Sequence, residues 1–158
     1  MRFALKTAGL VVGTLLALNV NAEEIKRVPA PNDFPIATSV SLPAEVKLHY
    51  LSGTVPSKGE DGTYGDTQAQ TESVLKSIEA NLKSMGLTLG DVVKMQVFLV
   101  ADPNKDNKMD FDGFMKGYSK FFGTEAQPNL PTRSAMQVAG LVLPEWLVEI
   151  EVVAATTK

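Results

Sequence analysis

Apolar residues recur along this chain with two spacings, and each change of spacing marks a boundary between elements. In "KLHYLSGTV", residues 47 to 55, and in "LGDVVKMQVFLV", apolar and polar positions alternate, which is the two-residue repeat of a strand. In the second run Val93, Met95, Val97 and Leu99 fall on one face, and Lys94, Gln96 and Phe98 on the other. The same alternation in "LVEIEVVAA" separates Val148, Ile150 and Val152 from Glu149 and Glu151. Between the first two strands the spacing lengthens to three and four. There "DTQAQTESVLKSIEANLKSMG" predicts a helix capped by Asp66, with Val74, Ile78, Leu82 and Met85 along one side and Gly86 as its stop. "MDFDGFMKGYSKFFG", residues 109 to 123, predicts a second helix. Its stripe of Phe111, Phe114, Tyr118 and Phe121 or Phe122 reads as core. An irregular arm containing "PAPNDFP" and a strand-like "ATSVSL" come first, and a strand through Arg133 precedes the last one. The order β, β, α, β, α, β, β describes an α+β domain.

If the helices cover the face bearing Val93, Val97, Val148 and Ile150, the opposite face carries Lys94, Gln96, Glu149 and Glu151 mixed with Phe98 and Val153. Such a face is too apolar for water alone and too polar for a dry core. A subunit interface containing pockets is the expectation.

The first 22 residues follow a different pattern. Arg2 and Lys6 are followed by an apolar run from Ala8 to Leu18, then by Val20 and Ala22 where a signal peptidase requires small residues. This reads as a cleavable secretory signal. A membrane anchor is the competitor, but the run is shorter than the ~20 residues a span needs. Residues 23 to 158 then form one domain, periplasmic or secreted, with no membrane association after cleavage. The chain has no cysteine, which excludes disulfides and thiolate metal sites. Cleavage removes Arg2 and Lys6 and takes the formal net charge from −3 to −5, which argues against a nucleic-acid partner.

Several motifs fail when tested. Gly59, Gly62 and Gly65 match neither the dinucleotide nor the phosphate-loop fingerprint. "DPNKDNKMDFDG" is acidic enough for a calcium loop, but Asn107 stands where glycine is wanted and Gly113 where the bidentate glutamate is wanted. His49 is the only histidine, so multi-histidine metal sites are excluded and a Ser-His-Asp triad is argued against. Neither a metal nor a cofactor is expected.

The residue that stands out is Arg133, in the otherwise small and apolar "NLPTRSAMQVAGL". A buried guanidinium keeps its charge and five donors, so it needs an anion. One reading is a structural salt bridge, to Glu149 or Glu151 or to a neighbouring chain. The other is that Arg133 grips the carboxylate of a small substrate with its planar fork. With a carboxylate to hold water and the backbone amides of the Ser52–Gly53 turn, the set suffices to hydrolyse a small anion. It suffices equally for passive binding.

"YLSGTVP", the helix and strand from Gln68 to Asp102, "LPTRSAMQVAGL" and "VEIEVVAA" together resemble the Rid family, also called YjgF/YER057c/UK114, over nearly all of residues 23 to 158. The resemblance implies a chorismate-mutase-like fold, a mixed sheet covered on one face by two helices. It also implies a homotrimer with clefts between subunits, and cofactor-independent hydrolysis of enamines and 2-imino acids to 2-keto acids and ammonia. By its motifs Arg133 binds the substrate carboxylate, Glu149 positions water, and backbone amides near Ser52, Gly53 and Ala135 complete the site. Ala135 stands where a cysteine is usual, Ile36 where a tyrosine is, and Met115 where an asparagine is, so a more apolar cleft is expected. A non-catalytic trimer that binds small carboxylates is the alternative.

Overall fold

The structure is a computed structural model that describes residues 24–157; the secretory-signal reading of residues 1–22 lies outside the described residues. In chain order the elements are β1 (Lys26–Pro29), β2 (Ala37–Ser41), β3 (Val46–Thr54), α1 (Thr67–Ser84), β4 (Val92–Asp102), β5 (Lys108–Met109), α2 (Phe111–Tyr118), β6 (Thr132–Val138) and β7 (Val148–Thr157). Strands β3, β7, β4 and β6 lie side by side in that order, and β5 pairs with the far end of β4. β7 is antiparallel to both its neighbours, whereas β6 runs parallel to β4. Parallel neighbours need a crossover, and α2 lies within the one that joins β4 to β6. Both helices pack on one face of this mixed sheet, the α+β arrangement that the residue pattern predicts.

The alternation along the strands becomes a difference in burial. Met95, Val97, Val148 and Ile150 are at most 1 % exposed beneath Ile78 and Phe114. On the opposite face Gln96, Phe98, Glu149, Glu151 and Val153 are half-buried and Lys94 is exposed. Tyr50, on the edge strand β3, is 77 % exposed there. Burying apolar surface at roughly 25 cal/mol per Å² is what fixes this register, because a slip of one residue would exchange the two faces.

The helix ends follow their local chemistry. The Asp66 carboxylate accepts the Ala69 N–H at 2.9 Å, which satisfies one of the free donors of the first turn. At the other end the Gly86 N–H reaches Lys83 O at 3.0 Å and the Leu87 N–H reaches Leu82 O at 2.9 Å, with Leu87 and Leu82 in the same core cluster. Met85 departs from the prediction. It is the C-cap rather than part of the apolar side, and it is 43 % exposed. The second helix is shorter than its pattern, ending at Tyr118; Phe121 and Phe122 follow in a turn whose N–H groups return to Tyr118 O. Phe122, 1 % exposed, completes the aromatic stripe from that turn. The strand-like "ATSVSL" forms β2, and the arm before it departs from the irregular reading by supplying β1. The two strands form an antiparallel hairpin, and the Ala37 N–H ties it to Pro131 O at 2.9 Å, beside the start of β6.

Candidate functional site

Arg133 stands opposite Met95 in the β4–β6 ladder, so its side chain leaves the sheet on the helix-covered face. There it meets rings on several sides. Its guanidinium carbon lies 4.3 Å from the Tyr118 ring centre, 5.0 Å from Phe114, 5.5 Å from Phe34 and 6.0 Å from Phe111. Nη2 donates to the Met115 thioether at 3.2 Å, a weak acceptor, and Nη1 is buried with no hydrogen-bond partner. Among the described residues the ion pairs are Lys105–Asp110 and Lys120–Glu72, so the structural bridge from Arg133 to Glu149 or Glu151 does not form within the chain.

Magnitudes show what this box can and cannot do. A cation over an aromatic face gains ~0.5–2 kcal/mol, whereas taking an ion out of water costs several kcal/mol. The rings stabilise the faces of the guanidinium but give its in-plane donors nothing to bond. Burial lowers the Arg133 pKa from its usual value, with the Tyr118 oxygen opposing part of that shift. Tyr118 itself is pushed up to about 12 by burial, an effect that the neighbouring guanidinium only partly offsets. Its hydroxyl is therefore a neutral donor, and it donates to Pro35 O at 2.9 Å.

The sequence builds this box through close helix packing. A Cβ added to Gly117 would lie 2.8 Å from Thr71 Cβ and 3.0 Å from Gln68 O, so glycine is what lets α2 approach α1 so closely. One turn of α2 then supplies Phe114, Met115 and Tyr118. Ala135 lies two residues beyond Arg133, opposite Val97, and is half-buried against the core. Ile36 is half-buried in the arm, where its N–H reaches Phe34 O at 2.7 Å. The ring that the arm brings to Arg133 is that of Phe34, two residues earlier. Arg27 anchors the hairpin: its guanidinium donates to Val92 O and Leu130 O at 2.8 Å and to Gly90 O at 2.9 Å.

The other predicted residues gather elsewhere. In the β3–β7 ladder Leu51 pairs with Val152 and Thr54 with Ile150, so β3 carries one extra residue at Ser52–Gly53. A Cβ at Gly53 would overlap the Glu149 carboxylate, which packs directly against that bulge. Glu149 stands opposite Phe98 and Glu151 opposite Gln96, both on the face away from the helices. A cavity of about 230 Å³ opens on that face, with Tyr50, Ser52, Lys94, Gln96, Glu151 and Val153 among the residues lining it. The predicted residues therefore form two half-sites. Arg133, Met115 and Ala135 lie on the helix side and Ser52, Gly53 and Glu149 on the outer side, with the sheet between them.

Phe34, Phe111, Phe114 and Tyr118 were not identified from sequence as surrounding the arginine. A stripe with spacings of three and four announces burial but not what it is buried against. Among the described residues no three His, Asp or Glu side chains converge as a metal site, and His49 lies 3.5 Å from Thr156 Oγ1 on β7.

A family model described as Endoribonuclease L-PSP matches residues 39–156. The chain is 41 % identical over 109 residues to AldR of Lactococcus lactis, named as a candidate regulator, covering 68 % of this chain and 78 % of that one. It is 36 % identical over 104 residues to the 2-iminobutanoate/2-iminopropanoate deaminase of Salmonella typhimurium, covering 65 % of this chain and 75 % of that one. The solved structure of Escherichia coli TdcF with bound serine superimposes with a TM-score of 0.56 at 31 % identity, over 85 % of this chain and 98 % of TdcF. With its two helices on one face of a mixed sheet and a family model spanning residues 39–156, the chain belongs to the Rid family, also called YjgF/YER057c/UK114.

Proposed function

We propose that this protein is a homotrimer that hydrolyses 2-imino acids, and the enamines in equilibrium with them, to 2-oxo acids and ammonia without a cofactor. Each cleft joins the Arg133 half-site of one subunit to the Ser52–Gly53–Glu149 half-site of the next. The observation that carries the reading is the guanidinium of Arg133, buried among rings with Nη1 unpartnered and no carboxylate within ion-pairing distance among the described residues. A carboxylate arriving there supplies the missing charge and two in-plane acceptors. The thioether of Met115 yields easily, being much the weaker acceptor.

The register of the sheet supports assigning the two groups to neighbouring subunits. Arg133 and Glu149 project from opposite faces, so one small molecule cannot touch both within a chain. The outer face, with Tyr50 77 % exposed beside half-buried Val153, is suited to being covered by another copy.

In the cleft, Glu149 holds a water molecule beside the C=N carbon and takes its proton as the oxygen adds. That proton passes to nitrogen to give the carbinolamine; Glu149 then carries the hydroxyl proton to the amino nitrogen, and the C–N bond breaks to release ammonia as the C=O bond forms. Arg133 keeps the substrate carboxylate in place throughout, while the Tyr118 hydroxyl stays bonded to Pro35 O. Export through residues 1–22 is part of the proposal, and Glu23 at the mature N-terminus by mass spectrometry is its check.

The test follows imines made in situ by an amino-acid oxidase, with semicarbazide trapping what remains. The wild-type protein accelerates imine loss, Arg133→Ala does not, and Glu149→Gln binds 2-oxo acids without turnover. If wild type accelerates nothing yet still binds 2-oxo acids through Arg133, the protein is a carboxylate-binding trimer. That rival draws support from the helix-side half-site, which offers no general base of its own.

A further inference from the structure

The box around Arg133 has a closed side and an open side. Phe114 and Tyr118 are wholly buried, whereas Phe34 is 39 % exposed and Phe111 and Met115 are half-buried. These last three are the members of the box that solvent reaches, so a carboxylate approaching the guanidinium would come from their side, with the rest of its molecule against two phenyl rings and a thioether. Such a surface offers dispersion and burial to an apolar group and no strong hydrogen bond to a polar one.

Phe34 is also held in place. It sits in the turn between β1 and β2, and that hairpin is tied down at separate points. Arg27 bonds three carbonyls, the Ala37 N–H bonds Pro131 O, and the Tyr118 hydroxyl bonds Pro35 O, next to Phe34 itself. A wall fixed in this way needs little ordering when a ligand arrives.

Resting on the carboxylate-binding reading of Arg133, we infer that the cleft selects 2-imino and 2-oxo acids with a large apolar side chain, branched aliphatic or aromatic, over those with a methyl or an acidic one. Phe34 and Met115 set that preference.

The test is calorimetric binding of 2-oxo acids to the purified protein, using pyruvate, 4-methyl-2-oxopentanoate, phenylpyruvate and 2-oxoglutarate, with Arg133→Ala as the site control. The two large apolar acids are expected to bind at least about tenfold more tightly than pyruvate, the discrimination that a few buried methylenes give. Phe34→Ala and Met115→Ala bring that ratio toward one. Phe34→Leu, which keeps an apolar side chain, lowers the affinity for phenylpyruvate more than that for 4-methyl-2-oxopentanoate. Equal affinities across the series, or a preference for pyruvate or 2-oxoglutarate, each lost in Arg133→Ala, would leave the carboxylate reading standing and overturn the selectivity. Binding that survives Arg133→Ala, or no binding by any of the four acids, would overturn both.

Discussion

Arg27 and Arg133 are both partly buried guanidiniums whose pKa burial lowers, and their surroundings differ in what they offer the donors. Arg27 meets three backbone carbonyls at 2.8–2.9 Å, with the Asp91 charge near enough to favour its ionised form. Arg133 meets four rings, a thioether and, at Nη1, nothing. The first is a finished structural bond that ties the arm to the rest of the molecule. The second holds a cation with one donor on a weak thioether acceptor and another, Nη1, without any. Burial alone does not separate the two, but an inventory of each donor's partner does.

The sharpest way to break this comparison is to replace each arginine by methionine, which keeps apolar bulk and removes charge. Arg133→Met is expected to abolish binding of 2-oxo acids while leaving the melting temperature unchanged or higher, because desolvating the charge costs at least as much as the rings return. Arg27→Met is expected to lower stability by about 2 kcal/mol, since three carbonyls lose charge-assisted hydrogen bonds. Thermal melts paired with calorimetry read both effects. Matching losses of stability would show that Arg133 is structural as well.

Gly53→Ala probes the outer half-site. Its new methyl would displace the Glu149 carboxylate, the end of a flexible side chain, so the fold tolerates it better than the chemistry does. Turnover should fall on the order of tenfold or more, a loss typical of a displaced general base, with a melting temperature close to wild type.

A smaller effect comes from Tyr118. Its pKa is about 12 in the folded protein, above the ordinary tyrosine value near 10. The unfolded chain therefore loses this proton first, and stability falls as pH rises from about 10 to about 12. Tyr118→Phe should remove that slope in denaturant titrations, at a cost of about 1 kcal/mol from the unpaired Pro35 carbonyl. An unchanged slope would mean that another group is responsible for it.

Much of this fold can be read from local chemistry. Asp66 and Gly86 bracket α1 because capping depends on neighbours within a few residues, and the faces of β7 and of β4 beyond Lys94 follow from alternation; before it the ladder slips by one residue, and Val92 rather than Val93 joins the core cluster. Arg133 stands out because a lone charge in an apolar strand contradicts its surroundings. The hidden parts all depend on distant sequence. The strand-like "ATSVSL" does form β2, but its four-residue partner β1 is too short for a periodic signal, and the turn between them carries Phe34 to a strand about a hundred residues further on. The parallel pairing that puts Arg133 opposite Met95 has no local signature either. Glu149 was identified by motif, but its place on the far side of the sheet from Arg133 emerges only from the assembled register.

That separation makes the central claim testable by complementation. In the proposed trimer, Arg133→Ala or Glu149→Ala would spoil every cleft, so each variant alone is expected to be inactive on imines. When the two are co-expressed, random assembly restores about a quarter of the clefts, those in which an intact Arg133 meets an intact Glu149 from its neighbour. Recovery near that fraction is expected in the co-expressed population as a whole, with none when every chain carries both substitutions. A monomer by sedimentation, or mixed trimers no more active than either variant, would contradict it.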